Sequence, residues 1–288
     1  MRVLLSILLG VFIIIGVSSA KEESAQSLIE SSGKRTTEKV QAREMSKVIK
    51  EAVNVYAKGN RVLFLLNHNK IEEAKKVLDQ LVKELDKLST QYKKMDRLPI
   101  DAVITEISGI TDIKEAEKLA KEAKKAVEDN DFIKARFILN SLRDEIQIET
   151  FYLPLSLYTE AVKLAQKLLK EGKVKDAIAQ LQVAIGLVEV ETTIIPKPLA
   201  IASLLVEDAS KAFKKNPEKA LKLLDEAKRQ IKLAKVLGYI KTEKDISPLI
   251  AQIEKLEKEI KEKAGRKEHF KKVFENIEKV REKATQTR

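Results

Sequence analysis

The chain has 288 residues, 34% of them charged, and a formal net charge of +11. It has no cysteine, which excludes a disulfide framework and a lipid anchor on an N-terminal cysteine. The positive balance invites a nucleic-acid or membrane-surface partner. However, Lys and Glu alternate at i,i+4 spacing, as in Glu254–Lys258 and Glu257–Lys261, the pattern of solvated helix faces, which argues against nucleic acid.

Residues 1–20 read as a secretory signal peptide: Arg2, an apolar run from Val3 to Val17, then Ser18-Ser19-Ala20 before a polar stretch. The run is short for a membrane span of about 20 residues. The expected mature protein starts at Lys21 and is periplasmic or secreted, the rival being a retained anchor. Residues 21–35 are small and polar and predict a flexible lead-in. Helical periodicity begins at Thr36 or Thr37 as N-cap, with Val40, Met45, Val48, Ile49, Ala52 and Val53 on one side. Lys- and Glu-rich composition without Cys or Trp is also what heat-adapted proteins show.

A repeat then emerges. "NKIEEA", "NDFIKA", "GKVKDA" and "NPEKA" each join two helical runs and end at Ala74, Ala135, Ala177 and Ala220. Asn or Gly breaks one helix, and the small Ala lets the next pack closely. Asp112 and Glu115 stand at capping-box spacing, while Asn216 caps a helix with Pro217 at its first position. These are helix hairpins, with a period longer than that of tetratricopeptide repeats. The extra length is strand-like: Ile146 and Ile148, then Val188 and Val190, alternate with polar residues. Pro154 and Pro196 end each run, because proline has no N–H for a ladder. The two strands are expected to pair with each other or with Leu98–Ile107. The fold class predicted is mainly α: a hairpin-repeat domain over 36–238 with a small β element at its joints.

Residues 239–288 predict C-terminal amphipathic helices. Ser247 and Pro248 serve there as expected N-cap and first helical residue, and Ile246, Leu249, Ile253, Leu256 and Ile260 recur at 3,4,3,4 spacing, the seam pattern of a coiled coil. A helix hairpin docked on its own domain or on a second subunit is favoured. A membrane-surface helix is the rival, because Lys267, Lys271, Lys272 and Lys279 flank an apolar stripe.

The chemical inventory is thin. His68 and His269 lack metal-ligand partners at helical spacing, and no nucleophile elbow, zincin motif or phosphate loop occurs. No catalytic residue, metal or cofactor is predicted, and a non-enzyme is expected. The candidate binding residues for ligand or client are the joint residues Phe151, Tyr152, Pro154, Tyr158, Ile195, Pro196 and Pro198. Clustered aromatics and prolines suit a groove for exposed hydrophobic groups of client proteins or small apolar ligands. The competing reading makes them inter-repeat core.

From about Lys47 to Arg229 the pieces resemble the YfdX family: "NRVLFLLNHNKIEEAKKVLDQL", "LPIDAVI", "GKVKDAIAQLQVAI", and the Tyr-Leu-Pro-Leu element with its "PKPL" echo. The resemblance implies a periplasmic, mainly helical, homo-oligomeric protein connected with stress response, with a chaperone-like or ligand-binding role. It supplies no active site to carry over.

Overall fold

The structure is a computed structural model describing residues 25–287; the expected signal segment lies outside the described residues. Among them, eleven helices accompany four strands: α1 (Ala25–Met45), α2 (Lys50–Asn67), α3 (Ile71–Gln91), β1 (Arg97–Ile107), α4 (Ile113–Glu128), α5 (Phe132–Ser141), β2 (Glu145–Pro154), α6 (Leu155–Lys170), α7 (Val174–Gly186), β3 (Glu189–Pro196), α8 (Lys197–Ala212), α9 (Pro217–Val236), α10 (Glu243–Lys261), α11 (Lys267–Ala284) and β4 (Gln286–Thr287). The fold is mainly helical with one small antiparallel sheet, as the periodicity predicted. No described helix is long and apolar enough to cross a membrane.

The hairpin turns follow from local chemistry. Asn69 and Asn130 (φ 59° each) and Gly172 (φ 77°) end α2, α4 and α6 in the left-handed region, which Gly and Asn enter most readily. Each turn closes with the same backbone hydrogen bond: Lys70 N–H to Leu65 O, Asp131 N–H to Ala126 O and Lys173 N–H to Leu168 O, at 2.8–3.0 Å. Asp112, Asp131 and Asn216 cap the next helices by accepting from the N–H three residues on. The four alanines after the turns are buried.

The strands run antiparallel in the order β1-β2-β3-β4. Both expected pairings form: Ile148 lies opposite Ile104 of β1 and Thr193 of β3. A helix hairpin fills the connection from β1 to β2 and another that from β2 to β3. Because neighbouring strands are antiparallel, successive hairpins emerge at opposite ends of the sheet. At the end marked by Arg97, Pro154 and Glu189, α2–α3 and α6–α7 share one core. At the end marked by Ile107, Glu145 and Pro196, α4 leans on α9, while α8–α9 share a second core with α1, α10 and α11.

Three expectations are corrected. Residues 25–35 are not a flexible lead-in but the first half of α1. Leu28, Ile29, Ser32 and Thr36 bury against α8, Arg35 binds Asp208 through two hydrogen bonds (2.5 and 3.2 Å), and Lys39 reaches Glu207 at 2.8 Å. Small side chains and ion pairs bury this face, so hydrophobic periodicity missed it. Thr36 and Thr37 accordingly sit mid-helix, with Thr36 donating to the carbonyl of Ser32. In α10 the N-cap is Thr242 rather than Ser247, and Pro248 lies within the helix. An added first turn carries Ile246 into the core. The stripe of α11, Phe270, Val273 and Ile277, is buried in the same core, so it offers no apolar face to a bilayer.

Tyr158 of α6 reaches α2 at a glycine. A Cβ at Gly59 would run into the hydroxyl of Tyr158, which donates to Val55 O at 3.3 Å. Gly59→Ala is therefore expected to cost about 1–3 kcal/mol. Tyr158→Phe in the same chain should recover part of that loss, as read from urea denaturation of the two single variants and the double.

Candidate functional site

Both proline joints share one construction. Pro154 ends β2 and Pro196 ends β3, each with extended backbone, and each is the N-cap of the next helix. The first helical N–H then bonds the carbonyl of the residue preceding the neighbouring strand: Leu155 N–H to Asp96 O at 3.2 Å, and Lys197 N–H to Asp144 O at 3.0 Å.

The seven predicted site residues separate on inspection. Tyr158 is fully buried in the α2/α3/α6/α7 core, where burial pushes its hydroxyl pKa up. Pro154, Pro196 and Pro198 are buried as well. These four belong to the inter-repeat core, because each helix starting at a joint turns its first residues inward. Phe151 is half-buried against the first core and Ile195 against the sheet face beneath α1. Tyr152 is half-buried, with the Arg97 guanidinium 4.1 Å over its ring. Their alternation along the sheet puts Phe151 and Tyr152 on opposite faces, so the joints do not form one groove.

At the second joint a lysine stands where the first has leucine. Lys197 is buried, and its Nζ lies 2.5 Å from Glu106 Oε1, 3.1 Å from Ser108 Oγ and 3.5 Å from Asp144 Oδ1. Asp144 Oδ1 also accepts from Gly109 N–H at 3.3 Å, and Thr37 Oγ1 donates to Glu106 at 2.9 Å. Burial pushes the Asp144 carboxyl up, against the pull of Lys197. For Glu106 burial also pushes upward, but hydrogen bonds from Lys197 and Thr37 outweigh it and hold the group below the usual range. Next to this cluster, Glu145 accepts from Arg143 Nη2 and Nε (2.5 and 3.0 Å), Gln147 (3.0 Å) and the Tyr239 hydroxyl (3.3 Å). The repeat itself carried a sign of this: aligning Pro154-Leu155 with Pro196-Lys197 sets a lysine at a buried apolar position.

Two further features border this end of the sheet. One is an open groove of about 700 Å³ between α4, the end of α5, β2, and the last residues of α9 and α11. The other is α5 itself. Only Ala135 and Ile138 of this helix are buried, while Phe132, Ile133 and Phe137 are 62%, 88% and 77% exposed. Helical geometry places Ile133 and Phe137 on one stripe and Phe132 with Leu139 on the next, with Arg136 between them. Sequence reading took "NDFIKA" as a hairpin turn and missed this face, although a ten-residue helix that is apolar on nearly every side already exceeds what one buried stripe needs.

Elsewhere, His68 Nδ1 lies 2.8 Å from Phe64 O, and His269 Nδ1 lies 2.7 Å from Glu259. No group of three His, Cys, Asp or Glu among the described residues is placed to hold a metal ion.

Fold and site together define a helix-hairpin protein strung on a small antiparallel sheet, with an open apolar helix face and a groove at one end. Residues 55–193, from α2 to β3, match the family model described as YfdX protein. Among solved structures the chain is similar to YfdX of Salmonella Typhi, at 17% identity and a TM-score of 0.36, over 50% of this chain and 90% of that one. No curated protein matches the chain.

Breaking the Lys197 cluster leaves the buried Asp144 carboxylate, and the more exposed Glu106, without their cation. Lys197→Met should therefore cost about 3–5 kcal/mol in denaturant unfolding. The raised pKa of Asp144 gives a second test. Between that value and the ordinary aspartate value of about 3.9, the folded chain holds a proton that the unfolded chain does not. This group thus adds stability as pH falls from neutral. Asp144→Asn should lack that gain, so the stability of wild type relative to the variant should rise as pH falls from 7 toward the ordinary aspartate value of about 3.9, with Glu106 present in both proteins.

Proposed function

We propose that this is a non-enzymatic, chaperone-like binding protein that holds exposed apolar groups of unfolded client proteins on the outer face of α5. The observation that carries the reading is the exposure of Phe132, Ile133 and Phe137 on one short helix of an otherwise Lys/Glu-coated chain. Burying one such side chain is worth about 1.5–3 kcal/mol, so three adjacent ones suffice for reversible capture. Arg136, between the apolar stripes, adds a stacking contact for aromatic groups. The surrounding charges keep the loaded complex soluble.

Without a client, the same face is expected to be covered by a second copy of the chain, so homo-oligomerisation and client capture compete for it. Cleavage after Ala20 would deliver the protein outside the cytoplasm, where the stress-protective role implied by the YfdX resemblance would operate. Docking on a membrane surface through α11 finds no support, since its apolar stripe is spent in the core.

The test is suppression of heat-induced client aggregation, without nucleotide, by the mature chain and by a variant carrying Phe132→Ser, Ile133→Ser and Phe137→Ser. Wild type should suppress light scattering at near-equimolar ratio. The variant should lose most of that effect and shift toward monomer mass, with stability within about 0.5 kcal/mol per exposed site. Equal protection by both proteins would sink the proposal.

A further inference from the structure

The groove at the second joint shares only Leu139 with the exposed stripes of α5, not Phe132, Ile133 or Phe137, and has its own chemistry. Apolar side chains of five elements line it, including Ala120 and Val127 of α4, Leu139 of α5 and Ile194 of β3. Its volume, about 700 Å³, falls in the range of small-molecule sites. Val236–Tyr239, Ala284 and Gln286 also line it and lie outside the YfdX-matching segment, so the site needs the part of the chain that follows that segment.

Its charges are unbalanced. Glu145 is the one carboxylate in the lining among the described residues, and it is buried. Its two oxygens are already engaged, Oε1 by Arg143 and Gln147 and Oε2 by Tyr239. The cations are not used up in the same way. Arg143 turns Nε and Nη2 to Glu145 and keeps its Nη1 amino group outside that pair. Lys124 stands exposed on the α4 wall, with only a 3.8 Å contact to Glu128. A cationic ligand would have to displace Arg143 from Glu145. An anion meets donors beside apolar walls, and a guanidinium edge suits a carboxylate or sulfonate.

We propose that this groove binds an anionic amphiphile: a single carboxylate or sulfonate head at Arg143 and Lys124, and an apolar body along Ala120, Val127, Leu139 and Ile194. The site is independent of client binding on α5.

The experiment is calorimetric titration of the mature chain with decanoate and with decyltrimethylammonium, both below their micellar concentrations. One decanoate should bind per chain, and the cation with the same tail should bind roughly tenfold more weakly or not at all. Ala120→Trp, which fills the groove from its wall, should abolish decanoate binding while client protection stays intact. Should that variant not fold, Val127→Trp serves the same purpose from α4. Lys124→Glu should weaken decanoate by roughly three- to tenfold, an effect shrinking with added salt. The triple α5 serine variant should bind decanoate as wild type does. Equal binding of both head groups, indifference to both tryptophan variants, or loss of decanoate in the serine variant would each overturn the proposal.

Discussion

The buried ammonium of Lys197 is the contact on which one end of this molecule depends. It stands at the first residue of α8 and ties together the end of β1 through Glu106, the approach to β2 through Asp144, and its own helix. Helix α1 closes over it: Gly33 has no side chain, and a Cβ there would come within 3.3 Å of Lys197 Cε. Taking the Lys197 ammonium and the Asp144 carboxylate out of water is costly, and such a cluster holds only when each buried polar atom finds a partner. Here Ser108, Thr37 and the Gly109 N–H supply those partners, and no buried side-chain N or O among the described residues is left without one. In exchange, three segments far apart in sequence meet in a single arrangement.

That arrangement decides where the chain is left open. Antiparallel strands joined through helix hairpins send successive hairpins to opposite ends of the sheet. At one end, α6–α7 find α2–α3 and seal a core. At the other, α8–α9 are sealed by α1, α10 and α11. The hairpin α4–α5 shares this second end but touches α9 through α4, which leaves the outer side of α5 uncovered. The groove is the gap between that hairpin and the residues that follow α9 and α11. Both proposed binding features therefore come from one topological fact: the hairpin between β1 and β2 has a neighbour on one side.

The prolines show how far local reading reaches. Their role as strand stops and helix starts was legible, because a missing N–H and a fixed φ act within a few residues. Which way the following side chains point was not. Tyr158 lies one turn into α6, and α2 approaches closely there because Gly59 leaves room for its ring and hydroxyl; the two residues are 99 positions apart, and no local pattern connects them. The same holds for Arg143, Glu145 and Tyr239, an ordinary basic-acidic pair and a tyrosine after a helix until the fold brings them into contact.

What the sequence determined by itself was the helices, their turns, the repeated joints and the strand pairing, along with the YfdX resemblance over its middle. These follow from hydrophobic period, left-handed Asn and Gly, N-caps and proline, all of which act over one or two turns of chain. Only the tertiary structure decided that α1 is a packed helix, that the joint aromatics divide between core and surface, and that α5 stands open. Burial of an element depends on what packs across from it, and for α1 that meant small residues and ion pairs, which carry no hydrophobic signal of their own.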